Sequence, residues 1–189
     1  MKIHWASRLR SILFTLIITL LLTFTYYPQQ QSRDPSLADL RARNFKVKTL
    51  QGKSIELNSL LGQGKPVILD IWASTCGPCR QEIPHLIQFA KTHREEGLIV
   101  IGLTIEDPKV DLKAVKSFVK EFSMNYEVAF APQEIYLFFN GTNSGLIPQT
   151  MVFHSNGRMV RRLIGYNEKT GKRILDQAVA LALQPSNKS

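Results

Sequence analysis

Cys76 and Cys79 are the only two cysteines of the chain, and they stand where a continuous apolar run meets a helical pattern. The run is Val67 to Trp72, and such a run between chain breaks predicts a buried central strand. A helical pattern begins at Cys76 and continues to about Arg94. The loop between the two cysteines is too short for a disulfide to add much stability by restricting the unfolded chain. The pair is therefore predicted to be a reactive dithiol.

The position of each cysteine predicts its role in disulfide exchange. A thiolate is the attacking species, and the first turn of a helix stabilises one through unpaired N–H groups and the helix dipole. Cys76 is therefore the expected attacking thiol, and Cys79, one turn later, is placed to resolve a mixed disulfide. Gly77 and Pro78 suit the turn between them. The alternative interpretation is a copper or zinc site formed by both cysteines and a histidine such as His85.

Asp70 interrupts the apolar strand before the dithiol. Burial raises the pKa of a carboxyl group, and a carboxylate near the dithiol can accept the proton that Cys79 must lose before it resolves a mixed disulfide. A proton relay is the favoured interpretation. The alternative is an aspartate that is hydrogen-bonded to backbone at a strand edge.

The remaining pattern predicts a single α/β domain. Strand and helix alternate and a hairpin ends the order of strands, which predicts a mixed sheet with helices on both faces. The expected elements, in chain order, are an N-terminal hairpin within Phe45 to Leu57, a strand from Leu98 to Thr104, a helix from Leu112 to Phe122, a strand from Tyr126 to Ala131, a helix from Gln133 to Phe139, a hairpin from Gln149 to Leu163 and a helix from Glu168 to Leu183.

The start of the chain predicts export. Basic residues in 1–10 precede an uncharged, apolar stretch at 11–27, which predicts a transmembrane signal anchor whose N-terminus is cytoplasmic. A cleaved signal peptide is the alternative. A polar linker is expected at 28–42 and the folded domain at 43–189, in an extracytoplasmic compartment where disulfides persist.

The formal charge of +9 is not concentrated in basic runs interleaved with aromatic residues. Nucleic acid is therefore not an expected partner. The excess predicts a solvated basic surface that attracts anionic lipid headgroups or acidic partners.

Three motifs together resemble the thioredoxin-fold proteins, and specifically the TlpA/ResA-like family of membrane-anchored thiol–disulfide reductases. They are Trp72-Ala73-Ser74-x-Cys76-Gly77-Pro78-Cys79-Arg80, Glu82-x-Pro84 and Pro148-x-Thr150. The resemblance covers nearly all of the chain after the linker and implies a thioredoxin fold with an N-terminal hairpin.

The resemblance also implies site residues. Pro148 is expected to be a cis-proline beside the dithiol, and Ile147 to tune the binding of partners. The surface that meets substrate is expected to include four further residues, Trp72, Thr75, Gly77 and Pro78.

Four residues depart from the family pattern or bear on it. Thr75 stands where the family usually has Trp. Asp70 matches the buried Asp of thioredoxins, at a position where many TlpA-like proteins have Asn. The family often has a Glu near the dithiol in the insert after the middle strand. Glu106 and Asp107 fall in that insert here, either as acids near the dithiol or as ordinary solvated groups.

The function implied is reduction of disulfides in exported proteins, with apocytochrome c as one candidate substrate. A transmembrane electron donor is then needed as a partner, and no cofactor or metal is expected. Two alternatives stay open: an oxidase or isomerase of the same fold, and a non-enzymatic copper- or zinc-binding accessory protein.

Overall fold

A computed structural model of the protein describes residues 37–140 and 145–185. Five α-helices, one short 3-10 helix at Leu57–Ser59 and seven strands fall in those two ranges. The strands are Lys46–Thr49 (β1), Ser54–Glu56 (β2), Val67–Trp72 (β3), Ile99–Thr104 (β4), Glu127–Phe130 (β5), Gln149–Phe153 (β6) and Met159–Ile164 (β7); the helices are Leu37–Arg43 (α1), Gly77–Thr92 (α2), Leu112–Glu121 (α3), Gln133–Asn140 (α4) and Thr170–Leu183 (α5).

The strands form one mixed sheet in the order β2-β1-β5-β4-β3-β6-β7. β3 pairs in parallel with β4 and antiparallel with β6, and β5 lies parallel to β4. β1 pairs antiparallel with both β2 and β5, and β6 pairs antiparallel with β7. β3, which leads into the dithiol, therefore lies inside the sheet with a hydrogen-bonded neighbour on each side.

Helices cover both faces of the sheet, as the order of elements predicted. Because side chains alternate along a strand, Leu69 and its neighbours on one face of β3 pack with residues of α1 and α4. Ile68 and Trp72 point to the other face, where α2, α3 and α5 supply the packing partners. Every residue of β3 is buried, so the strand that carries Asp70 is closed to solvent on both faces.

The segment expected to be a linker, 28–42, overlaps a helix. Leu37–Arg43 is helical, and within it Leu40 is 1% exposed and belongs to the core beside Leu57 and Leu61. A single apolar turn among polar residues carries too little periodicity to predict a helix, and burial of Leu40 accounts for its position.

The predicted anchor at 11–27 and the residues that flank it up to Ser36 lie outside the described residues. Across 37–140 and 145–185, each helix is too short or too polar to traverse a lipid bilayer.

Candidate active site

The dithiol is closed as a disulfide at the start of α2. Cys76 is the N-cap residue of that helix and Cys79 lies in its first turn, with a bond joining the two Sγ atoms. The backbone N–H of Cys79 donates to the Sγ of Cys76 at 3.2 Å. Cys79 is 1% exposed, whereas Cys76 is only half-buried. Cys76 is therefore the sulfur that an incoming disulfide can reach, and the same N–H would stabilise its thiolate after reduction.

The peptide bond between Ile147 and Pro148 is cis. The carbonyl oxygen of Ile147 lies 3.6 Å from the Sγ of Cys76. Ile147 is half-buried and Pro148 is buried. The backbone just before β6 thus borders the reactive sulfur, where it can pair with an extended segment of a bound partner.

The exposed surface around Cys76 consists of Thr75, Gly77 and Pro78. Trp72 does not belong to it: the side chain is 0% exposed and stacks on Phe118 of α3, with ring centroids 4.9 Å apart. The expectation that Trp72 contacts substrate therefore does not fit this structure. Trp72 is the last residue of β3 and points to the face covered by α2 and α3, so it supports the site from beneath.

Asp70 is buried beneath the dithiol helix. Neither of its carboxylate oxygens has a hydrogen-bond partner among the described residues, and β3 is an inner strand, so the strand-edge alternative does not apply. Burial raises the pKa of the Asp70 carboxyl well above its usual range, and the neighbouring carboxyl of Glu82 raises it further. An ionised Asp70 is therefore a stronger proton acceptor than a carboxylate in water.

Glu82 is a second buried acid, for which the sequence pattern predicts no role. It lies on α2, three residues after Cys79 and so on the same side of the helix, and it is 0% exposed. The hydroxyl of Thr150 donates to Glu82 Oε1 at 2.5 Å. Burial raises the pKa of Glu82 to about 7, although this hydrogen bond opposes the shift. The signal available in the sequence was a Glu at a position that α2 turns toward the core.

Sheet register brings the two acids together. Asp70 is opposite Thr150 on β6 and opposite Gly102 on β4, so all three face the same side of the sheet. Thr150 in turn holds Glu82. The hydroxyl of Tyr126 is also buried here, and burial with the charges of both acids raises its pKa well above the usual range. A buried group of proton-binding side chains therefore lies between the central strands and α2, and Glu82 brings it within one helical turn of Cys79.

Glu106 holds the loop that precedes the dithiol. Its carboxylate accepts hydrogen bonds from the backbone N–H and the hydroxyl of Ser74, and from the hydroxyl of Thr104 at 2.6 Å. Ser74 lies two residues before Cys76, so Glu106 acts on the site by positioning this loop. Asp107 is exposed, and its carboxylate accepts the backbone N–H of Lys109 at 2.8 Å.

His85 lies on the side of α2 that faces α5. Its Nε2 lies 2.8 Å from Asp176 Oδ1 on α5, and the hydroxyl of Tyr166 lies 3.4 Å from its Nδ1. Burial lowers the pKa of His85, and the hydrogen bond with Asp176 opposes that shift. Both ring nitrogens are thus engaged away from Cys76. Within 37–140 and 145–185, His, Cys, Asp and Glu form no group of three or more placed to hold a metal ion.

Comparison with known proteins places this site in a family. Residues 39–162 match the model of the AhpC/TSA family. A thiol–disulfide oxidoreductase named ResA from Bacillus cereus is 32% identical over 164 residues, which are 84% of this chain and 90% of the relative. The ResA of Bacillus subtilis is 27% identical over 124 residues, which are 66% of this chain and 65% of that protein.

A solved structure shows the same fold. A thiol:disulfide interchange protein of the thioredoxin family from Chlorobium tepidum superimposes with a TM-score of 0.62 at 30% identity, covering 80% of this chain and 95% of that one. The dithiol at the start of α2, the cis-proline beside it and these similarities lead to one conclusion. The chain belongs to the AhpC/TSA family and is a thioredoxin-fold thiol–disulfide oxidoreductase.

Proposed function

We propose that the protein reduces disulfides in exported proteins from the extracytoplasmic face of the cytoplasmic membrane, tethered by residues 11–27. The observation that carries disulfide exchange at this site is the pair of buried acids, Asp70 and Glu82, with Glu82 on the same helix as the resolving cysteine. Exchange with a substrate disulfide requires that Cys79 lose a proton, and a group able to accept it lies one helical turn away.

The reaction proceeds through two exchanges. The thiolate of Cys76 attacks one sulfur of the substrate disulfide, forming a mixed disulfide and releasing the other sulfur as a thiolate, which takes up a proton. Cys79 then transfers its proton toward Asp70 and Glu82, and its thiolate attacks the Sγ of Cys76. This attack displaces the second substrate sulfur as a thiolate, which also takes up a proton, so the substrate leaves as a dithiol that has gained two electrons and two protons. The protein is left with the disulfide seen here.

The charges around the dithiol favour a reductant. A dithiol protein is a strong oxidant when its reduced form is unusually stabilised relative to its disulfide form. Here Asp70 and Glu82 are acids and add no positive charge. Arg80 follows the dithiol, but its guanidinium lies 5.0 Å from the ring centroid of Phe118 and pairs with Glu121. The thiolate is therefore stabilised chiefly by the N-terminus of α2, a modest contribution.

A reductase in an oxidising compartment must be supplied with electrons. The proposed donor is a transmembrane protein that exchanges dithiols with the Cys76–Cys79 disulfide, as in the family that the motifs resemble. Proposed substrates are exported proteins with an oxidised cysteine pair, among them apocytochrome c, whose haem-attachment cysteines must be reduced.

The reduction potential of the Cys76–Cys79 couple tests the direction of electron flow. The full chain, held in neutral detergent, is equilibrated with glutathione or dithiothreitol buffers, and the fraction of disulfide is measured. We expect about −250 mV or lower. A value near about −120 mV would assign an oxidase or isomerase instead. Failure of the pair to cycle, together with stoichiometric copper or zinc in the reduced protein, would favour the metal-binding accessory protein.

A further inference from the structure

The outer face of α3 carries a stripe of lysines. Lys113, Lys116 and Lys120 follow one another at spacings of three and four residues, and so share one side of the helix; Lys109 extends the stripe into the preceding turn. All four are exposed. Within residues 37–140 and 145–185 none of the four ammonium groups forms an ion pair. The acids at the start of the stripe accept backbone N–H groups instead: Asp107 bonds that of Lys109, and Asp111 bonds that of Asp107.

The stripe borders a groove with an apolar component. This shallow, open groove has a volume of about 560 Å³, and all four lysines line it together with Val110 and Leu112. Val110 is 77% exposed and Leu112 is 37% exposed. Exposed apolar side chains within a rim of one charge are typical of an interaction surface. Opposite the groove, Val115 and Phe118 anchor α3 in the core, so the surface is presented on a fixed helix.

The last residue of this helix and the segment that precedes it both contact the dithiol region. Before α3, Glu106 holds Ser74 in the loop that leads to Cys76. At the end of α3, Glu121 pairs with Arg80, the residue that follows the dithiol. A segment bound along α3 therefore lies on a helix that is linked, through Glu106 and Arg80, to the residues around the reactive sulfur.

We propose that the lysine groove of α3 binds an acidic, extended segment of the protein whose disulfide is exchanged at Cys76. This inference rests on the proposed function and narrows its substrate class to proteins that carry acidic residues near the reactive cysteines. Charge complementarity selects an acidic partner. Val110 and Leu112, exposed among the lysines, accommodate an apolar side chain that stands among the acids of such a segment.

Two synthetic peptides test the groove. Each is closed by one disulfide, and they differ only in a flanking segment with four Glu in one and four Gln in the other. The fully reduced full chain, in neutral detergent, is mixed with each peptide and the release of peptide thiols is followed. We expect the second-order rate constant of this single turnover to be about tenfold higher for the Glu peptide than for the Gln peptide at low salt, and the ratio to approach one at high salt.

Two double variants with the same change in net charge test whether the preference for the Glu peptide depends on the lysines of α3. Lys113→Glu with Lys116→Glu is expected to lower the Glu-to-Gln ratio to one or below. The matched control, Lys48→Glu with Lys53→Glu, alters exposed lysines on the β1–β2 hairpin and is expected to keep the ratio near that of the unchanged protein. An equal fall in both variants would mean that only net charge matters and would overturn the proposal.

The outcomes separate this inference from the function on which it rests. If neither peptide is reduced, the proposed reductase activity fails. If both are reduced at the same rate, the reductase stands and the acidic partner is wrong. Adding phosphatidylserine to the micelles tests the other anionic surface. If Lys113→Glu with Lys116→Glu abolishes a response to that lipid while the peptide ratio stays at one, the groove faces lipid and the proposal is overturned.

Discussion

Thr150 on β6 donates a 2.5 Å hydrogen bond to the carboxylate of Glu82 on α2, and neither side chain is accessible to solvent. Thr150 also lies opposite Asp70 on β3. One threonine thus joins the central strand, the dithiol helix and the strand that follows the cis-proline. Two acids that would repel each other if both were ionised are held in one buried place below Cys79, and this arrangement has consequences for stability and for rate.

The free energy of unfolding is expected to fall as the pH rises from about 4.5 to about 7. Glu82 has a pKa of about 7 in the folded protein against 4.5 normally, so the folded state binds more protons than the unfolded state within this window. Stability present at low pH is therefore lost as Glu82 ionises, by about 3 kcal/mol if the shift is fully expressed. Asp70 acts in the same direction, because its pKa is also raised. Urea unfolding of the oxidised protein across this range measures the slope.

Glu82→Gln is expected to flatten that slope, because an amide does not titrate. A matched control is Glu95→Gln, which changes an exposed glutamate and should retain the dependence of the parent protein. If the stability of Glu82→Gln fell between pH 4.5 and 7 as steeply as that of the parent, the assignment of the dependence to Glu82 would be wrong.

Release of a mixed disulfide is expected to slow in Asp70→Asn. At neutral pH the asparagine cannot accept the proton of Cys79, and positioned general bases contribute about 100-fold or more to such steps. We expect a slowing of at least about tenfold, since Glu82 remains as a second acceptor. The measurement is stopped-flow release of thionitrobenzoate from a mixed disulfide at Cys76. Asp176→Asn, which alters a carboxylate that contacts His85, serves as control. Equal release rates in Asp70→Asn and the parent would remove Asp70 from the mechanism.

The sequence predicted the sheet and the dithiol because both have local signals. β3 lies at Val67–Trp72 as its apolar run indicated, and the closed pair Cys76–Cys79 stands at the N-terminus of α2. The helical pattern from Cys76 to about Arg94 corresponds to α2, which continues past Pro84 to Thr92. Each of these features depends on residues adjacent in sequence.

The positions of the buried acids could not be predicted from residues adjacent in sequence. Glu82 reads as one more polar residue on an amphipathic helix, and only the pairing of Asp70 with Thr150 across β3 and β6 shows where its carboxylate goes. The orientation of Trp72 was missed for a related reason. A tryptophan next to a reactive motif suggests a surface contact, whereas the face to which it points depends on how α3 packs over β3.

Glu106→Gln is expected to destabilise the protein by about 1–3 kcal/mol, because a carboxylate that accepts from Ser74 and Thr104 loses charge-assisted hydrogen bonds. The attack of Cys76 should also slow, since Ser74 positions the preceding loop. Urea unfolding and the rate of reaction of reduced Cys76 with a disulfide dye measure the two effects. With Glu95→Gln as reference, a stability and rate equal to the parent would show that Glu106 is an ordinary solvated acid.

Gly102→Ala is expected to destabilise the domain by about 1–3 kcal/mol through overpacking. A Cβ at this position would lie 2.9 Å from Trp72 Nε1 and 3.1 Å from Tyr126 Cε2, and both rings are held in the layer between the sheet and its helices. Gly77→Ala is the control, because nothing lies within 4 Å of its Cβ and alanine is favoured over glycine in a helix. Unfolding midpoints in urea compare the two. The near-ultraviolet dichroism of Gly102→Ala should also change as Trp72 shifts on Phe118, and an unchanged spectrum with an unchanged midpoint would contradict the close packing at Gly102.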